Sequence, residues 1–269
     1  MNYHSDEFIM ERLFEHYNDA AEHFQRDRIV CLNLAGSQNY GLDCEGSDVD
    51  TKLVVVPSFK DVAMNKMPTS TTHVLSNNEH IEFKDVRLYI PILRKGNINF
   101  VETLFSKYTI VNPFYANEWN RLVEAREEIA RYDVARAIQA MRGNVYSTYK
   151  RIFNATDNRV EAIEKFGYSP KDFYIIQRIE EFIKRYIAGE PYADCLVSKQ
   201  DKYFKSVKNG CFTAGDVQWM AKVCFDRTLE LCDKFLETCD KTVNQEVSSL
   251  MDDVQYNIMK IAMKKELGE

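Results

Sequence analysis

The stretch that decides the fold is residues 28 to 56, which read RIVCLNLAGSQNYGLDCEGSDVDTKLVVV. Residues 28–35 form a short apolar run that is typical of a buried strand. Residues 36–47 are rich in Gly, Ser, Asn and Asp, and these residue types favour turns. Residues 51–56 form a second apolar run, which stops at Pro57. The stretch therefore predicts two strands joined by a polar loop.

The segments on either side of this stretch predict a helix and a hairpin. Residues 6–26 place apolar side chains on one stripe at helical spacing. Residues 72–76 and 80–84 flank Asn77-Asn78, a pair that favours a tight turn between two strands. We therefore expect a small mixed sheet with helices on one face.

Beyond about residue 110, the apolar residues recur at helical spacing. Ser169 is followed by a proline and then by an acid three residues after the serine, which is a strong helix-start signal. The segment that begins at Thr213 repeats the pattern. The sequence therefore predicts an α+β protein with a sheet-containing domain in residues 1–112 and an all-helical domain in residues 113–269.

Composition limits the classes of function that this chain can have. The chain has 269 residues, of which 45% are hydrophobic and 28% charged, as is ordinary for a globular protein. Its net charge of -6 argues against a protein that coats nucleic acid by charge alone. Its seven cysteines include no C-x-x-C pair, so we expect reduced thiols and a cytoplasmic location. Because we find neither a signal-peptide pattern nor a long apolar run, we expect no membrane partner.

Asp48 and Asp50 are the candidate catalytic and metal-binding residues. Alternate residues of a strand point to the same side, so both carboxylates face one surface. Two carboxylates there can share hard divalent cations, and Mg²⁺ prefers oxygen ligands together with substrate phosphates. We therefore expect Mg²⁺, or Mn²⁺ in its place, as the cofactor.

Gly36 and Ser37 supply a candidate phosphate site just after the first strand. Free backbone N–H groups at such a turn bind phosphate oxygens, and a glycine allows close approach. A bare acid-x-acid pair is weak, since a chain of this acidity contains roughly six by chance, mostly on solvated faces. The ordered set of strand, Gly-Ser, Tyr-Gly, Ser-Asp-x-Asp and strand is much rarer, and it favours a functional site.

These motifs resemble the signature of the DNA polymerase beta nucleotidyltransferase superfamily. The segments that carry the resemblance are Gly36-Ser37, Tyr40-Gly41-Leu42 and Ser47-Asp48-Val49-Asp50. Softer motifs resemble a family of predicted bacterial and phage nucleotidyltransferases, and the similarity spans about residues 30 to 187. These motifs lie in residues 84–87, 95–100, 102–105 and 167–171, with Arg178 following.

The resemblance implies a polymerase beta-like palm fold in the first domain. It also implies transfer of a nucleoside monophosphate from a nucleoside triphosphate, such as ATP, to an acceptor hydroxyl with release of pyrophosphate. The nucleotide-binding set that it predicts is Gly36, Ser37, Tyr40, Lys171 and Arg178.

The resemblance also implies a third catalytic and metal-binding carboxylate on a neighbouring strand, and two residues are candidates. Glu82 shares strand parity with His80 and Lys84, which places it on the polar face. Asp85 has the opposite parity and could instead cap the helix that follows, although its segment matches the family motif. Both candidates stay open at this point.

Lys171, Tyr174 and Arg178 share one helix face, which predicts a basic surface for triphosphate or acceptor, or else a solvated face. Residues 199–208 contain a lysine at every third position together with Tyr203 and Phe204, as in some sites for single-stranded nucleic acid. The acceptor is therefore RNA, for example a tRNA end, in one hypothesis. In a second hypothesis it is a protein or small molecule, which suits the acidic chain better. In a third, the chain is a non-catalytic nucleotide-binding or partner-binding module.

Overall fold

The computed structural model describes residues 3–156 and 159–268. Five strands form one mixed sheet in the order β3-β4-β2-β1-β5. The strands are β1 (Ile29–Ala35), β2 (Asp50–Val55), β3 (Ser70–Val74), β4 (His80–Asp85) and β5 (Thr109–Val111). Strands β2 and β4 are parallel, whereas the other neighbouring pairs are antiparallel.

Helices occupy most of the chain after β5, so the predicted α+β class is confirmed. The helices are α1 (Asp6–His23), α2 (Phe59–Ala63), α3 (Val86–Arg94), α4 (Ile98–Val101), α5 (Ala116–Glu124), α6 (Arg126–Ala130), α7 (Val134–Tyr149), α8 (Val160–Phe166), α9 (Pro170–Ile187), α10 (Tyr192–Leu196), α11 (Asp201–Lys208), α12 (Ala214–Thr238) and α13 (Gln245–Leu267). Among the described residues, no helix combines the length and the apolar character that crossing a bilayer requires.

The turn and helix-cap residues identified in the sequence form the predicted turn and caps. Asn78 has a φ of 67°, which suits the tight turn of the β3–β4 hairpin. The Ser169 side chain caps α9 by accepting a hydrogen bond from the Asp172 N–H. Thr213 and Asp216 form a reciprocal capping box at the start of α12. The hairpin and both helix starts are confirmed.

The two faces of the sheet differ in chemistry. One face packs against α1 in an apolar core that includes Ile9, Leu13, Leu32, Leu34, Leu53, Ile81 and Phe83. The other face carries Asn33, Asp50, Lys52, Glu82 and Lys84, as the strand registers require.

Helices lie on both faces, so the expectation of helices on one face is wrong. Phe100 of α4 lies on the polar face, with its ring centroid 4.5 Å from the Lys52 Nζ and 5.1 Å from the Lys84 Nζ. Helix α3 packs against β2, β4 and α4, because its apolar stripe, which includes Tyr89 and Leu93, must also be buried.

The chain forms two compact units, Met1–Asp133 with Thr242–Glu269, and Val134–Lys241. The first contains the sheet, and α13 returns to pack against α3 and α5 within it. In that unit Arg94 donates to the Ser248 carbonyl at 3.0 Å. The second unit is a helical bundle built around α7, α9 and α12. These limits differ from a boundary at residues 112 and 113, and the division into domains 1–112 and 113–269 stays a prediction.

Candidate active site

The Gly-Ser turn and the two aspartates lie side by side because their strands are neighbours. Strand β1 ends at Ala35, which pairs directly with Asp50 at the start of β2. Gly36 follows with a φ of 88°, a backbone conformation that L side chains rarely adopt. Ser37 then begins a short 3₁₀ helix. The predicted phosphate turn therefore adjoins the predicted carboxylates.

Hydrogen bonds fix the loop between β1 and β2. The buried Gln38 donates through Nε2 to the Asp48 carbonyl at 2.7 Å. The Ser47 hydroxyl accepts the Cys44 N–H at 2.9 Å, which closes a turn just before Asp48. Tyr40 is buried, and its contact with a nucleotide stays a prediction. The loop thus holds the backbone of Asp48 against the Gly-Ser turn.

Asp50 has a partner that the sequence did not indicate. The side chain of Asp48 is exposed, whereas that of Asp50 is 39% exposed and accepts hydrogen bonds from His80. The backbone N–H of His80 and its Nδ1 both lie 3.0 Å from the Asp50 Oδ1. His80 therefore orients one catalytic candidate, and only the parallel pairing of β2 with β4 brings the two together.

A buried network anchors the aspartate segment from behind. Glu79 accepts the Val49 N–H at 3.2 Å and lies 2.9 Å from the His16 Nε2. The other ring nitrogen of His16 lies 2.9 Å from the Thr51 hydroxyl, and Arg12 also pairs with Glu79. Burial raises the pKa of Glu79, but hydrogen bonds from His16 and Arg12 outweigh it and lower the pKa to about 2. The network thus holds the residues on both sides of Asp50, and the sequence analysis did not find it.

Glu82 lies on the same sheet face as Asp50, between two lysines. Its Oε2 is 2.6 Å from the Lys52 Nζ, and its Oε1 is 3.1 Å from the Lys84 Nζ. Burial raises the pKa of Glu82, but the two ammonium groups outweigh burial, and the net pKa lies below its ordinary value. Glu82 is therefore an ionised carboxylate at neutral pH.

Asp85 lies at the far end of β4 and caps α3. It accepts the Arg87 backbone N–H at 2.8 Å and pairs with the Arg87 guanidinium at 2.7 Å. It is five positions farther along β4 than His80, or roughly 16 Å along a strand. This geometry matches the capping alternative.

Asp50 and Glu82 share a sheet face, whereas Asp48 precedes β2, and the three carboxylates form no compact cluster among the described residues. Within residues 3–156 and 159–268, one group of three potential ligands has all its ligand atoms within 4.8 Å of one another, and it consists of Asp19, His23 and His73. The carboxylate oxygens of Asp48, Asp50 and Glu82 therefore do not all lie within 4.8 Å of one another. The atoms that these three residues offer a metal are all carboxylate oxygens, which are the ligands that Mg²⁺ prefers. The residues therefore fit the expected ion in their chemistry.

The other predicted residues belong to the second unit. Lys171 is exposed on α9 and Arg178 is partly buried, whereas Tyr174 is buried edge-to-face against Phe204 at 5.7 Å. The predicted face is therefore only partly polar. The roles of Lys171 and Arg178 in nucleotide binding stay predictions.

The lysine run of residues 199–208 is not a continuous basic strip. Lys199 pairs with Glu190 at 3.1 Å, and Phe204 and Val207 are buried in the unit. Lys208 lies 5.6 Å from the Tyr174 ring. Two apolar residues of this segment therefore serve packing, and contact of its lysines with nucleic acid stays a prediction.

No protein-family model matches the chain, and no curated protein matches it. Among solved structures, the chain is similar to a nucleotidyltransferase-like protein from Exiguobacterium sibiricum 255-15, with a TM-score of 0.29 and 10% sequence identity. The similarity covers 96% of this chain and 78% of that chain. A similarity this distant assigns neither fold nor function.

Proposed function

We propose that the protein is a metal-dependent nucleotidyltransferase, which moves a nucleoside monophosphate from a nucleoside triphosphate to an acceptor hydroxyl and releases pyrophosphate. The observation that supports this most is the register of β1 with β2. It pairs Ala35 with Asp50 and so sets the Gly36-Ser37 turn beside the aspartate segment. A phosphate cradle next to carboxylates that suit Mg²⁺ is the arrangement that phosphoryl transfer needs.

Each residue has a distinct role in this proposal. Gly36 and Ser37 bind the β and γ phosphates through N–H groups and the serine hydroxyl. Asp48, Asp50 and one further carboxylate hold Mg²⁺, which supplies neutralising charge for the triphosphate. Positioning of the two substrates then supplies much of the rate enhancement, because the acceptor oxygen must approach the α-phosphorus in line with the leaving pyrophosphate.

Glu82 is the better candidate for the third carboxylate. It shares the sheet face of Asp50 and lies on the adjacent parallel strand, about two residues farther along. Asp85 is engaged by Arg87 at the opposite end of β4. If Glu82 held the ion, it would do so beside Lys52 and Lys84, whose ammonium groups lie 2.6 and 3.1 Å from its carboxylate oxygens.

The resemblance also implies that Lys171 and Arg178 bind nucleotide, and their part in this reaction stays a prediction. RNA remains the first acceptor to test, although the lysine run offers little support, and a protein or small molecule is the alternative.

The experiment incubates the protein with each α-³²P-labelled nucleoside triphosphate and Mg²⁺, with total RNA in one arm and cell lysate in the other. We expect label in RNA or in protein, and at least about a hundredfold loss in Asp50→Asn. The matched control is Asp27→Asn, since Asp27 is an exposed aspartate of the same unit and pairs with Lys265. It should retain full activity.

Normal turnover by Asp50→Asn would refute the proposal. Absence of label and of pyrophosphate with either Mg²⁺ or Mn²⁺ would favour the non-catalytic binding module instead.

A further inference from the structure

Three metal-ligating side chains meet on the α1 side of the sheet, away from the carboxylate face. Asp19 and His23 are four residues apart on α1, so they lie on one side of that helix. His73 comes from the edge strand β3, where it pairs with Ile81 and therefore faces the α1 side. We refer to Asp19, His23 and His73 as the His–Asp cluster.

The distances in the His–Asp cluster are those of a metal site. The Asp19 Oδ2 is 3.3 Å from the His73 Nε2 and 3.8 Å from the His23 Nε2. Two ligands of a tetrahedral Zn²⁺, each about 2.0–2.2 Å from the ion, are roughly 3.3–3.6 Å apart. Because all three ligand atoms lie within 4.8 Å of one another, modest side-chain movements would bring them to coordination distances.

The carboxylate oxygen at the centre of the cluster is shielded from solvent and has the two imidazoles as its neighbours, in a side chain that is 30% exposed. The Asp19 Oδ2 is shielded from solvent, and no group in the described part of the chain donates a hydrogen bond to it. Shielded polar atoms normally make a hydrogen bond, and the two imidazole nitrogens near this oxygen are not aligned to donate one. A cation at the cluster would give it a partner.

The surroundings fix the two imidazoles while leaving the cluster accessible. The ring centroids of His23 and His73 are 4.6 Å apart, and both rings contact Phe83 at 6.3 Å. The side chains of His23 and His73 are 48% and 35% exposed. An ion can therefore enter from solvent, and a water can complete its coordination.

We propose that the His–Asp cluster binds a divalent transition metal ion, with Zn²⁺ as the best match. Two imidazole nitrogens and one carboxylate oxygen suit Zn²⁺, Co²⁺ or Ni²⁺, whereas Mg²⁺ prefers oxygen ligands alone. The ion joins α1 to β3 and so tethers the exposed edge of the sheet. This site is independent of the proposed nucleotidyl transfer.

The test uses the full chain, with any affinity tag removed, in a Cys211→Ser background because Cys211 is an exposed thiol. Titration with Co²⁺ should give visible absorption bands at one ion per chain, and Zn²⁺ should displace them. His23→Gln and His73→Gln should each weaken Zn²⁺ binding by more than about 100-fold, since a direct ligand contributes more than a second-shell partner does.

The matched control is His4→Gln, because His4 contacts Asp43 elsewhere on the unit. It should leave the Co²⁺ spectrum unchanged. Bands that persist in both cluster variants, or displacement of Co²⁺ by equimolar Mg²⁺, would overturn the proposal. So would an absence of bands in the parent protein. His23 is exposed, so its variant keeps the test valid even if His73→Gln fails to fold.

Discussion

Glu79 offers the sharpest test of how the aspartate segment is held. It is 7% exposed and accepts hydrogen bonds from His16, Arg12 and the Val49 N–H. Glu79→Gln keeps the shape of the side chain but removes its charge, and it places an amide NH₂ among these donors. We expect the first unit to lose stability, because the charged hydrogen bonds vanish while the donors stay buried.

The size of the effect follows from the pKa of Glu79. Burial raises this pKa, but the hydrogen bonds lower it from 4.5 to about 2. A shift of this size corresponds to roughly 3 kcal/mol of stability at neutral pH. Because the pKa is lower in the folded state, the contribution is complete above about pH 5 and disappears as the pH falls towards 2. At pH 3, roughly half of it remains.

The measurement is urea unfolding at pH 7 and at pH 3 in a Trp219→Phe background. The chain has two tryptophans, and the buried Trp119 then reports on the first unit alone. The matched control is Glu15→Gln, because Glu15 pairs with the same Arg12 but is 52% exposed. The control should lose less than about 1 kcal/mol.

Two results would refute this account of Glu79. One is a loss in Glu79→Gln at pH 7 that is no larger than the loss in Glu15→Gln. The other is a difference between wild type and Glu79→Gln that is as large at pH 3 as at pH 7.

Further predictions concern two glycines and the two candidates for the third carboxylate, Asp85 and Glu82. Asp85→Asn should lower the free energy of unfolding by roughly 1–3 kcal/mol, because it weakens a helix cap and the pair with Arg87. Glu82→Gln should instead reduce nucleotidyl transfer by at least about a hundredfold, and the reverse pattern would exchange their roles. Gly210→Ala should lower the thermal midpoint, because Gly210 has a φ of 72° and the added Cβ would clash with the Phe166 ring. Gly143 lies inside α7, where an added Cβ would face open space. Gly143→Ala should therefore raise the free energy of unfolding by up to about 1 kcal/mol, and a lower value would contradict the helical conformation of this residue.

Local signals in the sequence predicted much of the fold. The β3–β4 hairpin follows from Asn77-Asn78, and the start of α9 follows from Ser169. Each of these depends on residues that are close in the chain, where turn and cap chemistry act directly. The parity of the strands also predicted correctly that Glu82 lies on the polar face.

Features that depend on distant pairing were not predicted. The contact of His80 with Asp50 requires β2 and β4 to be parallel neighbours, which the spacing of apolar residues does not show. The return of α13 to the first unit and the short edge strand β5 depend equally on tertiary packing. Glu79 carries no motif, and only the docking of α1 places His16 beside it.

A crystal structure of the protein with Mg²⁺ and a non-hydrolysable nucleoside triphosphate would show whether the proposed active site binds nucleotide. We expect the β and γ phosphates at the Gly36-Ser37 turn, with the ions held by Asp48, Asp50 and Glu82. A triphosphate bound elsewhere, with these three side chains turned away from it, would rule out the proposed active site.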